Sequence, residues 1–132
     1  MPIVKTDNGR EKRLKAYKGT ISALPKITHV AVGDGGKEAD GRLKNPDSSR
    51  TSLYNEITRV AASFEDINKF TAKFIGVLNS GTTTALVGKD INEMALVDSE
   101  GTLITIETFS LFGDGGFPKN SIVNLKTQLT VE

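Results

Sequence analysis

One histidine, no cysteine and sixteen acidic side chains are the groups on which chemistry could rest. A nucleophile–histidine–carboxylate set would have to use His29. His29 lies inside an alternating stretch between Thr28 and Val30, not at a strand end or in a loop. A packed or half-buried structural histidine is the expectation there. A transition-metal site would need mostly carboxylates, and no such cluster is visible. Asp34, Asp40, Asp47 and Asp114 sit in loop-like stretches, but they lack the alternate spacing of a calcium loop. They read as solvated turn carboxylates. Gly81 and Gly88-Lys89 suggest a phosphate loop, yet six residues separate the glycines and Asp90 follows the lysine, so the motif fails. Gly33-Asp34-Gly35-Gly36 follows a strand but lacks the third glycine of a dinucleotide fingerprint. No catalytic, metal or cofactor site is therefore expected, and no small-molecule substrate.

The elements that would position these residues are mostly strands. Asp7 or Asn8 can cap a short helix over about residues 8–18, with Leu14 and Tyr17 as a narrow apolar edge and Gly19 as the stop. Ile27 to Val32 alternates as a strand, with His29 and Ala31 on one side and Val30 and Val32 on the other. Stretches 53–65 and 70–78 read as two antiparallel strands joined near Asp66–Lys69. Ile91–Val97 and Thr102–Phe109 form the clearest hairpin, around Asp98-Ser99-Glu100-Gly101. In its second strand Thr102, Ile104 and Ile106 are expected to face one way. Ser121–Val131 is the last strand, with Val123, Leu125, Thr127, Leu129 and Val131 on one face. The expected fold is α+β: a mostly antiparallel β-sheet or sandwich with a short N-terminal helix, in a single domain over residues 1–132.

Composition narrows the function. Seventeen basic and sixteen acidic side chains give a formal net charge of +1, too little for a global field that draws in nucleic acid. The aromatics do not interleave with basic residues as an RNA-stacking sheet requires. The N-terminus has no apolar core of a signal peptide, and no apolar run nears the ~18 residues of a spanning helix. No membrane insertion is expected, and the lack of cysteine fits folding in a reducing cytoplasm. The basic residues are uneven: Lys5, Arg10, Lys12, Arg13, Lys15 and Lys18 crowd the first eighteen positions. The stretch from Gly33 to Arg50 is a long polar loop, and long loops in small domains tend to carry function.

Three stretches carry a resemblance. Ile27-Thr28 followed by Ala31-Val32-Gly33-Asp34-Gly35-Gly36 is similar to the opening signature of the phage tail-collar fibre family, the N-terminal modules of P2-like tail fibres. A loop containing Pro46 then leads to Thr51, Leu53, Glu56 and Arg59, which match that family's next segment. The Glu93 to Leu103 hairpin resembles the third, with Ala95 for the family's glycine and Val97 for its tyrosine. The resemblance covers about residues 20–110. It implies a structural component of a phage or phage-like contractile tail, at the fibre–baseplate junction, without catalysis. It also implies baseplate and fibre proteins as partners, a homotrimer, and a place in the virion tail after assembly in the host bacterial cytoplasm. Family fibres continue into a shaft, so either a fragment or a stand-alone adaptor is implied. Charge clustering and loop length nominate Arg10, Lys12, Arg13, Asp34, Lys37, Arg42 and Lys44 as partner-binding residues. The alternative is a carbohydrate-binding β module, with Tyr54 or Phe117 as its aromatic platform.

Overall fold

The computed structural model describes residues 3–131, except for the side chain of Asp114. Seven strands and one helix follow in the order β1 (Ile3–Lys5), α1 (Asp7–Tyr17), β2 (Ile27–Gly33), β3 (Glu56–Asn68), β4 (Thr71–Asn79), β5 (Glu93–Asp98), β6 (Leu103–Thr108) and β7 (Ile122–Thr130). They form one sheet in the order β1-β6-β5-β2-β3-β4-β7, antiparallel at every pairing. The expected α+β class holds. The short strand β1 went unforeseen because three residues are too few to show an alternation.

The helix begins one residue earlier than its sequence suggests. Thr6, not Asp7 or Asn8, is the cap: its hydroxyl accepts the Gly9 N–H at 3.0 Å and donates to the Leu103 carbonyl, and the residue is fully buried. The stop is as expected. Gly19 takes φ +76°, and its N–H reaches Ala16 O while Thr20 N–H reaches Lys15 O, closing the last turn. The apolar edge is a correction: Leu14 is 55% and Tyr17 78% exposed, and the helix instead lays Gly9 against Ile104. A glycine contact brings the two backbones together, which a larger side chain would prevent.

The centre of the sheet is buried on both sides. One cluster holds Val30, Val32, Leu78, Met94, Leu96, Phe117 and Leu125, and the other holds Ala31, Leu53, Ala95, Val97, Leu103 and Ile106. Adjacent residues of β2 and β5 therefore serve opposite cores. In the β5–β6 pair the register shifts between Leu96 and Val97, so that Leu96 pairs with Thr105 and Val97 with Leu103, and Ile104 of β6 is the extra residue. This bulge breaks the expected alternation: Ile106 joins one cluster and Ile104 packs on the other.

The sheet curls sharply where β4 passes under β2. A Cβ on Gly76 would lie 2.8 Å from Val30 Cβ and 3.0 Å from Val60 Cγ2. The curl brings the two edge strands, β1 and β7, to opposite sides of a narrow cleft, which the Lys5 side chain crosses to reach Thr130 O at 2.8 Å. Beyond the last β2–β3 pair, the β3–β4 hairpin runs on and leaves Phe64, Ile67 and Phe70 exposed at its end.

Candidate partner-binding site

The three stretches that carry the resemblance meet at Glu93. This side chain, at the start of β5, is 0% exposed. Its Oε2 accepts the N–H groups of Gly35 and Asn55, each at 2.9 Å, and its Oε1 accepts that of Tyr54 at 2.9 Å. Burying a carboxylate is costly unless it is hydrogen-bonded, and three backbone donors meet that need without a cation. The glycines are required by the crowding around it. A Cβ on Gly33 would sit 2.2 Å from Asn55 O, one on Gly35 2.6 Å from Tyr54 Cβ, and one on Gly36 2.4 Å from Asn92 O. Leu53 completes the knot by entering the second core cluster. The strand expected from residue 53 thus begins only at Glu56, because Tyr54 and Asn55 spend their N–H groups on Glu93 instead of a ladder.

The Gly33–Arg50 loop is tied down along its length. Gly36 N–H donates to Asn92 Oδ1, Thr108 Oγ1 donates to Lys44 O, and Asp7 N–H donates to Ser48 O. Lys44 Nζ lies 4.0 Å and the Arg50 guanidinium 3.7 Å from the Tyr54 ring centroid. Two cations over one aromatic ring form a firm positive patch. Arg50 had no sequence signal, since loops carry no periodicity.

The seven nominated residues are placed as follows. Asp34 accepts from the Asn55 side-chain amide at 2.6 Å. Lys37 Nζ pairs with Asp90 at 2.9 Å and donates to Ser110 Oγ, and Arg42 pairs with Asp40 two residues away. Lys12 Nζ is held at 2.7 Å by both Asp98 and Glu100, so it tethers α1 to the β5–β6 turn. Arg10, Lys12 and Arg13 share the rim of one hollow with Leu24, Leu129 and Val131, whereas none of the four loop residues lines it. The nominated set is therefore two groups.

His29 is exposed rather than packed, and its Nδ1 lies 2.9 Å from Thr28 Oγ1. At that point β2 pairs with the exposed Ala61 on one side and the buried Val97 on the other, so His29 sits where the covered part of the face ends. Asp47 accepts from the Ser49 N–H and hydroxyl. The Asp114 side chain lies outside the described residues. No helix among the described residues is long and apolar enough to cross a membrane.

Comparison with protein-family models, with curated proteins and with solved structures found no match in any of the three.

Proposed function

We propose that the chain is a non-catalytic attachment module of a phage-type contractile tail, acting at the fibre–baseplate junction. The observation that carries this reading is the Glu93 knot. Three segments far apart in sequence resemble successive parts of the tail-collar family's pattern, and backbone N–H groups of the first two, at Gly35, Tyr54 and Asn55, converge on the buried Glu93 carboxylate of the third. The pattern thereby acquires a single physical purpose. It locks a long loop onto the sheet and presents a rigid surface, which suits a module that joins two larger bodies.

The carbohydrate alternative draws no support from its two nominated aromatics. Phe117 is 1% exposed, and the Tyr54 ring already carries Lys44 and Arg50. A stacking platform for a sugar needs a free face.

The test is direct: gold-labelled chain added to contractile tail particles from the same host, viewed by negative-stain microscopy. Label at the baseplate end is the expected result. Label that never associates with tails rejects the reading. Light scattering of the purified chain checks the trimer, whose mass would be three times 14.2 kDa.

A further inference from the structure

Three hollows lie end to end along β7. The first is bordered by Ile3, Lys126 and Gln128, the next by Ile3, Lys5, Gln128 and Thr130, and the third by Lys5, Leu129, Thr130 and Val131. The shared residues make them one cleft, running between β7 on one side and β1 and α1 on the other.

The backbone of β7 is open toward this cleft. Val131 N–H donates to Phe70 O, and Ser121 O accepts from Ser80 N–H. In an antiparallel pair, alternate residues direct both backbone groups to the same neighbour. Odd-numbered residues of β7 therefore bond to β4, and Lys126, Gln128 and Thr130 turn their N–H and C=O groups outward. One outward group, Thr130 O, is occupied by Lys5 Nζ. Side chains alternate as well: Leu125 and Thr127 are buried, while Lys126 and Gln128 are exposed.

The charge around the cleft is one-sided. Lys5, Arg10, Lys73 and Lys126 border it. Among the described residues two acids border it, and both are already engaged, Glu107 with the Thr127 hydroxyl and Asp98 with Lys12.

We propose that the cleft receives an extended, acidic segment of a partner protein, which adds to β7 as a further strand and displaces Lys5 from Thr130. An added strand has the two parities of its neighbour. Side chains beside Lys126 and Gln128 would be acidic and would face Lys73 and Lys126. Those beside Leu125, Thr127 and Leu129 would be apolar and would enter the hollow lined by Ile104 and Leu24. The recognised pattern is thus an alternation of apolar and acidic residues. The inference rests on the attachment reading only for the identity of the partner as a fibre or baseplate chain; the cleft and its chemistry stand without it.

The experiment titrates the isotope-labelled full chain with a capped peptide of alternating valine and glutamate, about eight residues long to match the cleft. Amide hydrogen exchange is read residue by residue. The expected result is saturable binding, with the amides of Lys126, Gln128 and Thr130 slowed by roughly tenfold or more and those of Leu125, Thr127 and Leu129 unchanged. The matching valine–lysine peptide binds at least roughly tenfold more weakly, and Lys73→Glu with Lys126→Glu reverses that preference. No saturable binding, equal binding of both peptides, or protection that does not alternate overturns the proposal. Alternating protection that rises with protein concentration and no peptide also overturns it, because the occupant is then a second copy of this chain. Peptide binding by a chain that never joins tails would sink the attachment reading and leave the cleft standing.

Discussion

Glu93 Oε2 accepts the Asn55 N–H at 2.9 Å, which joins the entry of β3 to the start of β5 through a carboxylate with no exposed surface. Glutamine in its place keeps the shape but turns an NH2 toward N–H donors. At least one buried donor then loses its acceptor, at about 1–3 kcal/mol. Glu93→Gln is expected to lower the urea midpoint without changing the slope, and Glu93→Ala to lower it further. An unchanged midpoint in both would show that the knot is not what holds the loop.

Gly76→Ala tests the curl. The new methyl would overlap Val30 and Val60, which belong to or border the first core cluster. Overpacking of this kind costs about 1–3 kcal/mol. The thermal midpoint should fall, and a Gly76→Ala midpoint equal to that of the unaltered chain would show that β2 and β4 can move apart there without cost.

Glu107 is 6% exposed on the cleft side of β6. Burial pushes its pKa above the ordinary 4.5, against a smaller opposing effect of the Thr127 hydroxyl. The folded state thus holds the proton more tightly than the unfolded chain does. Stability falls as pH rises from the unfolded value through the folded one, and the penalty is complete above it. Glu107→Gln is expected to raise the urea midpoint at pH 7 and to leave it nearly unchanged near pH 4. An equal gain at both pH values would rule out ionisation as the cause.

The α1 tether responds in the opposite direction. Burial acts to raise the Asp98 pKa, but the Lys12 ammonium and the N–H groups of Thr102 and Glu100 outweigh it and leave the carboxyl below its usual 3.8. Its contribution is present above that value and is lost as pH falls through the lower folded value. Lys12→Met leaves the Asp98 side chain, itself 0% exposed, without its cation, at about 1–3 kcal/mol. Chemical denaturation at neutral pH should show the loss, and it should shrink below the carboxylate range as Asp98 takes up a proton. A loss that persists undiminished in acid would assign the effect to packing of the lysine stem.

The sequence by itself determined the antiparallel sheet, the N-terminal helix, its Gly19 stop and the Asp98–Gly101 turn. Each depends on local periodicity or on one residue's backbone preference, and both act over a few positions. The final strand was equally readable, because Leu125 and Thr127 face a core and Lys126 and Gln128 do not. Tertiary structure decided the rest. Thr6 became the cap because β6 buries it, and the β5–β6 bulge sent Ile104 and Ile106 to different cores. Lys12 reads as a free surface charge until the fold brings Asp98 and Glu100 to it across more than eighty positions. The glycines of 33–36 and the lone Glu93 were visible as residues, but not as partners. A buried carboxylate chooses its donors through space, and spacing along the chain carries no record of that choice.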